Sequence, residues 1–230
     1  MMVVGVSYRL LPMVLPSQMP SGPRLWSTAL FLEIGIAGLV TTLLARSRLS
    51  IVFAGVIAAG LAAFFAHVVW MIRHPRTRPA AVRLPDAAVI HVFAAFLSLA
   101  AASAIGVWLA TVDTTPATLR LAMVYGVLGL VGFLAQMVVA MEGRLLALHA
   151  WYWAYANSGY RGTVPSSHEM ASGDAQTLVL VLWIFGVPSL AAGFGLDAVP
   201  FVRGGALALS RPPSSTRRTP CGSHAIIRRS

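Results

Sequence analysis

Three ionisable residues lie inside long apolar stretches of this chain: Glu33, His67 and His91. Ionisable side chains are costly at membrane depth, and those that are found there often mark functional sites. Two neutral histidines on facing helices can hold a haem iron from both axial sides, and a carboxyl group can carry a proton. The same groups can also serve only to pack helices by hydrogen bonding to a neighbour. The residue types therefore leave haem ligation, proton transfer and helix packing open.

Consecutive membrane helices alternate in direction, which predicts that these three residues lie in the same half of the bilayer as the amide Gln136. At 1.5 Å per residue, His91 lies roughly 6 Å inside its helix, His67 roughly 7–8 Å and Glu33 roughly 12 Å. The two imidazoles could face each other and hold one haem iron, or each could simply hydrogen-bond a backbone carbonyl. For Glu33 we weigh a helix–helix hydrogen bond or a pair with Arg24 against a proton relay, and Gln136 is interpreted as a packing residue.

Composition establishes the environment of these residues. The chain has 57% hydrophobic and only 10% charged residues, whereas soluble domains carry about 25% charged residues. This identifies an integral membrane protein. The net charge of +10 comes entirely from arginines between the apolar stretches or near the C-terminus, a placement typical of membrane topology signals rather than of a nucleic-acid interface. A single cysteine excludes an internal disulfide.

The elements that must position the polar residues are helices. Apolar stretches of spanning length predict an all-α, integral membrane helical bundle of about five transmembrane helices within a domain covering residues 1–196. The predicted spans are 25–45, 51–72, 87–112, 121–141 and 176–196. Met1–Ser17 is interpreted as a short helix remnant whose earlier part is missing. Residues 197–230 are predicted to be weakly apolar and then a disordered basic tail, or the product of a reading-frame error.

The fourth span carries a predicted packing face and an anchor. At α-helical spacing, Tyr125, Gly129, Gly132 and Gln136 fall on one side, where the glycines would let another helix approach closely. The cluster Trp151–Trp153 follows this span, and such aromatic clusters are typical of the membrane–water interface. Arginines in the short loops place the end of the second span in the cytoplasm by the positive-inside rule.

Two blocks of sequence resemble a known group of proteins. The first is GVSYRLLPM, at Gly5–Met13, and the second is YGVLGLVGFLAQMVVAMEGRLLALHAWYWA, at Tyr125–Ala154. They resemble bacterial membrane proteins related to the haem–copper oxidase catalytic subunit, the cytochrome c and quinol oxidase polypeptide I-like proteins. The resemblance extends loosely to about Leu196. It implies haem-protein ancestry and a location in the bacterial inner membrane, with haem b as the cofactor.

The resemblance also implies what this chain lacks. In that group a histidine-bearing helix precedes the GVSY block, so we expect the chain to be truncated at its front. His91 is similar to a position where relatives also place a histidine, but no HxxxY motif and no adjacent histidine pair match the oxidase copper site. The sequence leaves open whether the protein is an enzyme, and the missing copper motif argues against one for this chain alone.

Three functions stay open at this point. The first is a haem b protein for electron transfer or diatomic gas binding, with His91 and His67 as ligands and a redox or membrane-protein partner. The second is a non-catalytic structural or accessory membrane subunit. The third is a small-molecule or proton-coupled transporter using Glu33, for which no inverted repeat is visible. The chain carries no P-loop, GxSxG or HExxH motif, and no other metal site is predicted.

Overall fold

The computed structural model describes residues 23–76, 86–157 and 173–210, together with residues 5, 7, 8, 11, 12, 17–19 and 159. These ranges contain six helices, of which the first five are long and apolar enough to cross a membrane. They are α1 (Pro23–Leu44), α2 (Ser50–Arg73), α3 (Ala87–Leu109), α4 (Pro116–Asn157), α5 (Gly173–Leu196) and α6 (Val199–Ser210). Within the same ranges no strand occurs beyond one isolated bridge, Ser17–Pro75. This confirms the predicted all-α membrane bundle.

Local signals explain where two of these helices begin. The side chain of Asp86 accepts a hydrogen bond of 3.0 Å from the Ala88 amide and caps α3. At the start of α4, Thr115 and Thr118 form a reciprocal capping box, and Pro116 occupies the first turn, where its missing N–H costs nothing. Both caps satisfy amide groups that have no partner within the helix.

Helix α4 is much longer than the span predicted for it. Its 42 residues extend roughly 63 Å, about twice the 30 Å thickness of a hydrocarbon core. The sequence from Glu142 to Asn157 contains no proline, so nothing interrupts the backbone where the apolar stretch ends. Helix α6 is a second difference from the sequence-based prediction, which describes this segment only as weakly apolar. The predicted basic tail, residues 211–230, lies outside the described residues.

The middle of α4, Val127–Ala135, is π-helical. A π-helix places more residues in each turn than an α-helix and changes which side chains share a face. Three of the four residues predicted to share a packing face nevertheless lie against α3: a Cβ on Gly106 would lie 3.0 Å from the Tyr125 ring, a Cβ on Gly132 would lie 2.8 Å from Ser98, and Gln136 contacts His91. Gly129 differs from the prediction, because a Cβ there would meet nothing within 4 Å.

The core lies where α2, α3 and α4 meet the N-terminal segment. Its fully buried side chains include Leu11, Phe64, Met71 and Val92. Lipid tails are as apolar as leucine, so close packing rather than exclusion of water stabilises this core inside a membrane. Both sequence blocks that carry the family resemblance contribute to it, the first through Tyr8 and Leu11 and the second through Phe133, Met137, Ala140 and Met141.

Two further contacts fix neighbouring elements. Arg144, on α4 beyond its apolar part, pairs with Asp86 at the start of α3, which places the start of α3 beside this part of α4. Helices α5 and α6 form a tight hairpin, since a Cβ on Gly205 would lie 2.7 Å from the Leu190 amide nitrogen. Small residues that permit such close approach are typical of helix packing in membranes.

Candidate functional site

His91 lies at the junction of three helices. It is only 3% exposed, and its Nδ1 atom lies 3.5 Å from Nε2 of Gln136 on α4. Its ring also makes an edge-on contact with Trp183 on α5, with 6.5 Å between the ring centroids. The Gln136 amide and the His91 ring nitrogen are thus within hydrogen-bonding distance, and the tautomer of the imidazole sets which of them donates. This pairing satisfies two buried polar groups, since Gln136 is itself 2% exposed.

His67 lies in a different cluster. Its Nδ1 atom is 2.8 Å from the Tyr8 hydroxyl of the N-terminal segment and 3.5 Å from Thr28 Oγ1 on α1. The Tyr8 ring also packs edge-on against Phe64, one turn from His67 on α2, at 5.4 Å. His67 therefore joins α2 to α1 and to the segment that carries the GVSY block.

The contacts described for the two histidines are with different residues. The ring of His91 contacts Gln136 and Trp183, whereas that of His67 contacts Tyr8 and Thr28. Buried apolar side chains such as Phe64 on α2 and Val92 on α3 fill the core around them. Haem ligation by either residue stays a prediction.

Glu33 faces away from the bundle. It lies on α1, is exposed, and makes no hydrogen bond or ion pair with the described residues. The opposite side of α1 packs on α2, where Leu32 contacts Gly60. The side chain of Arg24, the partner considered for Glu33, lies outside the described residues.

The open spaces lie elsewhere. An open surface cavity of about 500 Å³ follows the part of α4 beyond the membrane span, lined by Glu142, Leu145, Leu146, Leu148, His149 and Tyr152. A smaller one of about 230 Å³ lies at the turn between α5 and α6. Neither is lined by Glu33, His67, His91 or Gln136. Within the described ranges no three His, Cys, Asp or Glu side chains are grouped as metal ligands.

Sequence analysis missed three partners of the histidines: Tyr8, Thr28 and Trp183. Tyr8 had a signal, because it lies inside the GVSY block, but Thr28 and Trp183 are ordinary residues of apolar helices. In comparisons with known proteins, no family model, no curated protein and no solved structure matches this chain.

Proposed function

We propose that this chain is a structural or accessory membrane subunit, located in a bacterial inner membrane and of haem–copper-oxidase-like ancestry. Its intramembrane polar residues hold its helices together. The contact between His91 and Gln136 supports this most directly. It links α3 to α4 inside the bundle and leaves both side chains almost completely buried. A buried imidazole or amide without a partner is destabilising, so each residue requires the other.

The cluster around His67 supports the same role. The Tyr8 hydroxyl and Thr28 bring the N-terminal segment and α1 onto the His67 ring. The two blocks that carry the family resemblance meet in the core beside these polar contacts. Interhelical hydrogen bonds in membranes contribute modestly, about 0.6–2 kcal/mol each, and their value here lies in fixing which segments are neighbours. The partner of such a subunit would be another membrane protein.

A reduced-minus-oxidised visible spectrum of the purified protein, expressed with ample haem, tests this proposal. A structural subunit gives no b-type bands. Its His91→Ala variant unfolds at a lower temperature than the wild-type protein, because Gln136 loses its partner. The control variant is Ala104→Gly, which lies on the same helix, α3. It removes side-chain atoms at an exposed position and leaves every polar contact in place. Sharp b-type bands in the wild-type protein would contradict the proposal.

A haem b protein is the second candidate, and one observation favours it. The contact between Tyr8 and His67 uses Nδ1, the nitrogen through which histidine ligands are commonly oriented by a neighbouring group. His67 would then be the ligand and Tyr8 would hold the orientation of its ring. A haem bound there would supply one-electron redox chemistry.

The same spectrum separates the two candidates. If His67 is a ligand, b-type bands disappear in His67→Ala and shift in Tyr8→Phe, which removes the hydroxyl but keeps the aromatic ring. The His91→Ala variant would retain the bands, since His91 lies in the other cluster. Bands that persist in His67→Ala would exclude this residue as the ligand.

A further inference from the structure

The outward face of α1 is exposed along the whole length of the helix. Its residues recur at alternating steps of four and three, and all are exposed: Trp26, Leu30, Glu33, Ala37, Val40 and Leu44. The two ends of this series, Trp26 and Leu44, are 73% and 82% exposed. Alternating steps of four and three are the pattern by which two helices pack side by side along their whole length. We call these six residues the α1 seam.

Glu33 distinguishes this seam from an ordinary lipid-facing surface. It lies roughly 12 Å from Leu25 and roughly 16 Å from Leu44 along the helix axis, near the middle of the span. An acidic side chain at that depth costs about 2.5–3.5 kcal/mol in a single membrane helix. The described residues provide no hydrogen-bonding partner, so nothing in the described part of the chain offsets this cost.

Rotation of α1 cannot bring Glu33 into the bundle. The opposite side of the helix is closely fitted to α2: a Cβ on Gly35 would lie 2.6 Å from Ile57 Cγ1, and one on Gly38 would overlap the Phe53 ring. A glutamate side chain turned toward α2 would meet these groups. The described part of the chain therefore offers the carboxyl group no partner.

We propose that the partner is a second copy of this chain, packed along the α1 seam about a two-fold axis normal to the membrane. Copies inserted in the same orientation present Glu33 at the same depth, and a two-fold interface brings a residue on the axis against its own counterpart. A protonated carboxyl group both donates and accepts, so the two Glu33 side chains complete each other's hydrogen bonds. A different protein would need its own polar group at this depth.

The neighbours of Glu33 on the seam fit this arrangement. Ala37, one turn further along, is small and exposed, which lets the two backbones approach closely enough for the carboxyl groups to meet. A single polar residue within an otherwise apolar seam fixes the register of a helix pair. This inference does not rest on the proposed function, because Glu33 belongs to neither histidine cluster.

Cysteine cross-linking of the full chain in lipid nanodiscs and native membranes tests the interface. In a Cys221→Ser background, Ala37→Cys is expected to form a disulfide-linked dimer under mild oxidation. Leu130→Cys is the matched control, since it is equally lipid-facing at 65% exposed but lies on α4, and it is expected to stay monomeric. Adding Glu33→Leu to Ala37→Cys should weaken association about tenfold, the equivalent of roughly 1.4 kcal/mol. Glu33→Gln should stay within about threefold, since an amide also donates and accepts.

Two results would overturn the inference. One is an Ala37→Cys protein that cross-links no better than the Leu130→Cys control. The other is dimerisation that is unchanged by Glu33→Leu, which would mean that the carboxyl group does not hold the seam together. The thermal unfolding of each variant, measured in parallel, verifies that the monomer is folded. A negative outcome here leaves the spectral test of the proposed function unaffected.

Discussion

His91 and Glu33 both lie within helices long and apolar enough to span a membrane, yet their surroundings differ completely. His91 is 3% exposed, and contacts Gln136 on α4 and Trp183 on α5. Glu33 faces outward from α1 and has no partner among the described residues. Both would be costly in lipid. For His91, a neighbouring helix supplies a partner and so offsets the free-energy cost of burying a polar group. For Glu33 this cost is offset only when two chains associate.

The difference follows from how each helix is packed. Helices α3, α4 and α5 surround His91, so a polar side chain there has helices on several sides to supply a partner. Helix α1 packs mainly on α2 through Leu32, Gly35 and Gly38, which leaves its other face without a neighbour among the described residues. A polar residue in the interior therefore stabilises the fold of one chain. One on the outer face can stabilise only a contact between chains.

The largest effect is expected from a substitution that separates the helices around His91. A Cβ on Gly132 would lie 2.8 Å from the Ser98 side chain on α3 and 3.1 Å from Val187 on α5. Gly132→Ile should therefore lower the free energy of unfolding by about 3 kcal/mol through overpacking. Gly129→Ile is the control in the same π-helical segment, where a Cβ meets nothing within 4 Å. Denaturation in bicelles measures both, and equal losses in the two variants would contradict the described packing.

An intermediate effect is expected from the polar pair itself. His91→Leu and Gln136→Leu should each destabilise the protein by about 1–3 kcal/mol, because each leaves the other side chain buried and unpaired. The double variant should lose less than the sum of the two, with a coupling of about 0.6–1.7 kcal/mol. Strict additivity in this double-mutant cycle would show that the contact contributes nothing specific.

The smallest effect on the stability of the single chain is expected for Glu33→Leu. Because Glu33 contacts no other described polar group, its removal should change the free energy of unfolding of the monomer by less than about 0.5 kcal/mol. This change can be measured by unfolding the protein at high dilution in nanodiscs, where each disc holds one chain and no dimer forms. A loss comparable to that of His91→Leu would mean that Glu33 stabilises the chain internally and would remove the contrast between the two regions.

The sequence by itself determined the environment, the fold class and the presence of five spanning helices. Long apolar stretches and few charges leave a helical bundle as the structure that satisfies the backbone in lipid. It also identified Glu33, His67, His91 and Gln136 as the polar residues at membrane depth. Both results depend on composition along the chain, which requires no knowledge of what lies beside it.

Only the tertiary structure decided which polar residues meet. Gly129, in the π-helical segment of α4, lies outside the face that Tyr125, Gly132 and Gln136 present to α3, which a periodicity of 3.6 residues does not predict. The partners of His67, Tyr8 and Thr28, are 59 and 39 residues away in sequence. The orientation of Glu33 follows from the side of α1 that fits α2. Each of these depends on packing between helices, because the hydropathy of a lipid-facing position and of a core position is the same inside a membrane.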